Sequence, residues 1–179
     1  RVLDSRTRAH QAFYADALFC ERLQSLLGLD PPFEPSDFPI ELRHYPQGAG
    51  MQWHQDDLLY TQPQCELVFT LENTSDSYTE WLDGRQQVAS VWTEPNSLIA
   101  IRAGERGPRH RVTPIGRGER SILKFVYSTG GDKTSDFYAH IDSFPGARPS
   151  TKQKQTAAAK QQRSRGREAR NRGAARGRG

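Results

Sequence analysis

Cysteine is scarce in this chain of 179 residues, with Cys20 and Cys65 the only two. Two cysteines cannot define a disulfide framework, and both read as reduced and buried, the usual fate of a free thiol. No apolar run is long enough to cross a bilayer, so a transmembrane span is excluded and no membrane partner is expected. The apolar core of a signal peptide is also missing. The chain opens on Arg1 rather than Met, which fits a fragment or a processed form; an intracellular setting, cytoplasm or nucleus, is favoured. Acidic residues are nearly missing from residues 148–179, where 11 Lys or Arg face the single acid Glu168. That segment carries +10 and the remaining 147 residues carry −6, so the basicity of the chain belongs to its end. Residues 148–179 also have no aromatic and almost no aliphatic side chain. Such a composition cannot bury enough surface to offset ordering entropy, which predicts one folded domain over 1–147 and a disordered basic tail over 148–179. The tail's Arg-Gly pattern, as in Arg163 to Arg167 (RSRGR), suits non-specific contact with nucleic-acid phosphates, and the lack of stacking aromatics argues against sequence readout.

What is present is mostly β pattern. Residues 3–27 place Phe13, Ala17, Phe19, Cys20, Leu23, Leu26 and Leu27 at three- and four-residue intervals, predicting one amphipathic helix. Gly28 is its expected C-terminal cap, and Asp30-Pro31-Pro32 forbids its continuation. Strands are then expected over 38–44, 51–57, 65–72, 88–92, 97–102 and 121–127, with a hairpin turn at Asp83-Gly84. Residues 136–144 read as a short closing helix or strand. Strands of this length, spaced by about ten residues with no helix between them, favour a sandwich or barrel. The predicted class is therefore mainly β with a supporting N-terminal helix. On the last strand, alternation puts Arg120, Ile122, Lys124 and Val126 on one face. A Lys inside a barrel is expensive unless paired, so Lys124 must meet a carboxylate or be turned out by a bulge.

The chemistry concentrates in Tyr45 to Asp57 (YPQGAGMQWHQDD), where His54 and Asp56 lie two apart, on one side of an extended chain. Imidazole plus carboxylate suits a first-row metal, and two His with one carboxylate leave open positions on a non-haem Fe(II) centre. His110, in the run PRHRVTPIGRGERSILKFVYS, supplies a third ligand. Ten positions on, Arg120 offers a guanidinium able to grip a carboxylate through two parallel bonds. A second triplet, His140 with Asp142, has no later His to complete it. The six arginines from Arg102 to Arg120 read either as a solvated basic face or as a rim that attracts an anion.

The strings RHYPQGAGMQWHQDD, NSLIAIRAGERGPRHRVTPI and GERSIL together resemble the Fe(II)- and 2-oxoglutarate-dependent dioxygenases, in their prolyl 4-hydroxylase-like branch. The resemblance extends over about residues 10–130. It implies a double-stranded β-helix, or jelly roll, with iron on His54, Asp56 and His110. It also implies Arg120 on the distal carboxylate of 2-oxoglutarate and Tyr45 beside that cosubstrate. The chain departs from the pattern at residues 77–81 (SYTEW), where the family often has a Gly-Gly-Glu-Thr-like turn. It departs again at Thr70, a cosubstrate position often occupied by Tyr. The implied cofactors are Fe(II), 2-oxoglutarate and O2, with ascorbate as an optional reductant. The implied reaction is hydroxylation of an unactivated C–H bond, foremost in a prolyl residue of a peptide or protein. Two alternatives come from other classes: an AlkB-type oxidative demethylase of nucleic acid, and a jelly-roll binding module without catalysis.

Overall fold

The computed structural model describes residues 1–3, 5–27 and 32–144. The expectations for Gly28, Asp30 and Pro31, and for the tail over 148–179, lie outside the described residues. Two compact units divide the chain, residues 1–137 and 138–179. Of the second, residues 138–144 are described.

Among its described residues, unit one carries nine strands: β1 (Glu34–Pro35), β2 (Glu41–Tyr45), β3 (Met51–His54), β4 (Gln64–Asn73), β5 (Thr79–Leu82), β6 (Val88–Val91), β7 (Leu98–Arg102), β8 (His110–Val112) and β9 (Arg120–Ser128). They form two antiparallel sheets. The larger runs β1-β9-β4-β7, with β2 also paired to β9, and the smaller runs β3-β8-β5-β6. From β2 to β9 the chain passes repeatedly from one sheet to the other, which is the connectivity of a jelly roll. The predicted hairpin joins β5 to β6. Asp83 organises it by accepting from the amides of Arg85 and Gln87 at 2.8 and 2.9 Å, and Gln86 turns the chain with φ +61°.

Alternation along β9 divides the molecule into two environments. Leu123, Phe125 and Tyr127 face a core shared with Phe13, Leu23, Phe33, Ile40, Cys65 and Leu67. Phe13 stacks on Phe125 with ring centroids 4.7 Å apart, and each such buried aromatic contributes about 1.5–3 kcal/mol by leaving water. The Tyr127 hydroxyl donates to the carbonyl of Phe13, so the core also satisfies the polar ends of its aromatics. The opposite face of β9 carries Arg120, Ile122 and Lys124 into a cavity between the sheets.

The single N-terminal helix expected over 3–27 is instead broken. Val2 and Leu3 run as a strand edge against Glu41 and Ile40. A short α1 (Arg8–His10) passes into a π-helical turn at Gln11–Ala15, and α2 (Ala17–Leu27) follows. The break is Asp16, whose backbone is extended (φ −78°, ψ 109°) and whose Oδ1 accepts from the Phe19 amide at 2.8 Å. This is an N-cap, and the three-to-four periodicity survives it because Phe13 and Leu23, on either side of the break, both join the core beneath β9. Residues Ser135–Ser143 form the helix α3, one of the two forms expected there. Cys65 is buried and Cys20 only half-buried, both unpaired; Cys20 Sγ lies 3.3 Å from the Tyr127 hydroxyl.

Candidate metal centre

His54 and His110 meet because β3 pairs with β8. Gly48 adopts φ +83° and donates to Ile115 O at 2.8 Å, while Ile115 N returns a bond of the same length to Ala49 O. Gly50 is closely packed: a Cβ there would lie 3.0 Å from Pro114 Cα. With the turn seated on Pro114 and Ile115, His54 falls directly opposite His110, ring centroids 4.2 Å apart.

Asp56 reaches the site by a different route from the one its spacing suggests. β3 shifts register after Met51 and ends at His54, so period-two alternation does not carry Asp56. Its carbonyl instead accepts from Gly104 N at 2.9 Å. Gly104 sits at φ +77° just beyond β7, where Leu58 fills the space a Cβ would need, 2.8 Å away. The loop after β7 therefore holds the carboxylate against the two imidazoles.

His54 Nε2 is 3.7 Å from Asp56 Oδ1, His110 Nε2 is 3.4 Å from Asp56 Oδ2, and one ligand atom from each of the three residues lies within 4.8 Å of the others. The second nitrogen of each ring faces a backbone carbonyl: His54 Nδ1 donates to Gln52 O at 2.8 Å and His110 Nδ1 to Pro108 O at 3.1 Å. A carbonyl can only accept, so both Nδ1 atoms carry the proton in the neutral ring and both Nε2 lone pairs point inward. Burial lowers the His110 pKa below its ordinary value, against the pull of the Asp56 carboxylate, which favours the neutral, ligating form. Asp56 Oδ2 is buried with no hydrogen-bond partner. Two inward lone pairs and an orphaned carboxylate oxygen fit a divalent metal ion. Among the described residues these three are the group that could hold one; His140 and Asp142 lie on α3 without a third ligand.

The same cavity contains Arg120, which is 2% exposed. Its Nη1 donates to Thr79 Oγ1 at 3.0 Å, its Nε has no partner, and among the described residues no carboxylate pairs with it. Tyr45 stands opposite Arg120 in the β2–β9 register and also lines the cavity. Thr70 lies two positions beyond Val68 on β4 but outside the lining, fully buried, with its hydroxyl unpartnered. The arginine run does not form one surface: Arg120 is inside, while Arg111 is tied to Glu80 at 2.6 Å and lies 4.9 Å over the Trp53 ring.

Two further charged residues line the cavity from strands that the sequence pattern marks only as scaffold. Arg43 does bind Glu41, at 2.8 Å, but also faces the cavity. Glu66, taken as one residue of a strand, is 4% exposed and pairs with Lys124, whose Nζ is also 3.7 Å from Asp56 Oδ1. The requirement that Lys124 meet a carboxylate is thus met twice. Burial pulls both members of the pair toward neutrality, Glu66 up and Lys124 down. With two carboxylates beside it, the Lys124 ammonium ends above its ordinary range and stays charged.

No family model matches this chain, and no curated protein matches it in sequence. Solved structures do. A prolyl-4-hydroxylase from Pseudomonas putida aligns over 74% of this chain and 73% of its own, at 24% identity and a TM-score of 0.56. An oxidoreductase of the 2OG-Fe(II) oxygenase family from Burkholderia pseudomallei aligns over 73% of this chain at 14% identity and a TM-score of 0.62. This chain spans 59% of that protein's length. The chain shares the fold of these two proteins.

Proposed function

We propose that the protein is an Fe(II)- and 2-oxoglutarate-dependent oxygenase that hydroxylates an unactivated C–H bond. The observation that carries this reading is one cavity holding both a three-residue ligand set and a buried guanidinium that lacks an anion. His54, Asp56 and His110 would hold Fe(II), which with 2-oxoglutarate and O2 supplies oxidation of the C–H bond coupled to conversion of the cosubstrate to succinate and CO2. The remaining work falls to the chain. Arg120 takes the far carboxylate of the cosubstrate through a charge-assisted pair, made strong by the dry surroundings. Tyr45, across from it, closes the other side of the cosubstrate. The apolar walls, Val68, Ile99 and Ile122 among them, exclude water from the reacting centre.

The prime substrate we favour is a prolyl residue of a peptide or protein, a reading supported by the strings RHYPQGAGMQWHQDD and GERSIL and by the fold shared with a prolyl-4-hydroxylase. The test is succinate formation with Fe(II), ascorbate and 2-oxoglutarate, using Pro-rich peptides and methylated oligonucleotides in parallel. The expected result is turnover stimulated by peptide and abolished in His110→Ala, with the melting transition of that variant retained. Stimulation by the oligonucleotides alone would replace the hydroxylase reading with the demethylase one. Iron-independent behaviour in every arm would leave a binding module.

A further inference from the structure

The Lys124–Glu66 pair has no part in the scheme above, although it lies in the same cavity. A buried ion pair seldom gains net stability over apolar side chains of similar volume, and this one stands between two long apolar strands. Its position relative to Asp56 is informative. Glu66 and Asp56 present their carboxylates to the same ammonium: Lys124 Nζ contacts Glu66 Oε2 and lies 3.7 Å from Asp56 Oδ1. The Asp56 oxygens are thereby made unequal. Oδ1 faces Lys124 and the His54 edge, whereas Oδ2 is buried, unpartnered and 3.4 Å from His110 Nε2.

We infer that Lys124 is a positioning residue for the metal centre: it takes up Asp56 Oδ1, so that only Oδ2 ligates, and it holds Glu66 back from becoming a fourth protein ligand. The inference rests on the oxygenase reading of the site. Glu66 lines the cavity with the three ligands and is an oxygen donor of the kind that a divalent ion accepts. Without the ammonium, two neighbouring carboxylates would be drawn together by any cation placed between the histidines. A fourth protein ligand would fill one of the positions that a chelating 2-oxo acid requires. Lys124 therefore protects the vacancy of the coordination sphere, and Glu66 in turn keeps the ammonium from pressing on Asp56 alone.

The experiment uses the full chain loaded with Mn(II), with free Mn(II) followed by electron paramagnetic resonance and 2-oxoglutarate affinity by calorimetry. Lys124→Met preserves the length of the side chain without its charge. The expected result is Mn(II) bound about tenfold or more tightly, 2-oxoglutarate bound about tenfold or more weakly, and an altered Co(II) absorption spectrum. Adding Glu66→Gln to that variant should return both affinities to within about threefold of the parent. Glu66→Gln alone should weaken Mn(II) binding without strengthening that of 2-oxoglutarate; a gain in 2-oxoglutarate affinity there would show Glu66 already ligating and overturn the inference even should Lys124→Met fail to fold. Unchanged or weaker Mn(II) binding by a folded Lys124→Met protein, or no reversal in the double variant, would overturn the inference and leave the oxygenase reading standing. Absence of Mn(II) binding by the parent chain would overturn both.

Discussion

Replacing Arg120 by Met separates what the guanidinium does for binding from what it does for the fold. Arg120 is buried, with Thr79 Oγ1 as its side-chain partner and a bare Nε, and burial lowers its pKa below the ordinary value. A charge held in this way costs the empty protein free energy, so exchanging it for an apolar side chain of similar length should leave stability unchanged or raise it. Binding should move the other way. Removing one partner of a buried, hydrogen-bonded charge pair costs about 2–5 kcal/mol, a rise in the dissociation constant of about 30-fold to a few thousandfold. Calorimetric titration of 2-oxoglutarate into the Mn(II)-loaded variant measures the loss, and thermal unfolding of the metal-free protein measures the stability. With 2-oxoglutarate at a hundred times the parent's dissociation constant, the parent should gain about 2.7 kcal/mol from the ligand and the variant about 0.9 kcal/mol or less. A variant that melts several degrees lower without ligand, yet keeps its 2-oxoglutarate affinity within about threefold, would refute the argument and make Arg120 a structural residue.

Asp16→Ala should cost about 1 kcal/mol by removing the N-cap of α2, read as a lower urea midpoint with unchanged metal affinity. A loss of metal affinity there would show that the helix bears on the site. Truncation after residue 147 should leave 2-oxoglutarate turnover and the melting temperature of the protein nearly unchanged, because the removed segment has almost no apolar side chains. If the tail recruits nucleic acid, binding by the full chain should fall steeply with salt and disappear on truncation, the remaining chain being −6. Binding that survives truncation would instead assign recognition to the exposed arginines at Arg102, Arg106 and Arg109.

Local pattern carried the sequence reading far where one rule governs each residue. Alternation along β9 separated Arg120, Ile122 and Lys124 from Leu123, Phe125 and Tyr127, and the structure divides them in that way. The sandwich class followed from strand spacing for the same reason. Long-range constraints were less legible. The H-x-D spacing predicts two side chains on one strand face, whereas β3 ends at His54 and Asp56 is held by Gly104, some fifty residues later. No spacing rule anticipates that contact. Asp16 did carry a signal, an Asp at the start of an apolar run, but the periodicity on either side of it masked the break. Glu66 was legible in principle: a Glu at an inward position of a strand as apolar as CELVFTLE, together with Lys124 inside β9, is one buried charge seeking another.

That a ligand set and an unpaired guanidinium share one cavity also bears on how the site fills. A dianion long enough to reach Arg120 must bring its other end toward Asp56, whose unpartnered Oδ2 repels it until a metal ion lies between them. Ion and dianion therefore favour each other's presence, and by reciprocity each strengthens the other's binding by the same factor. On the oxygenase reading, scarcity of the metal would thus be felt as an apparent scarcity of 2-oxoglutarate. An abundance of the cosubstrate would, equally, slow the escape of the ion.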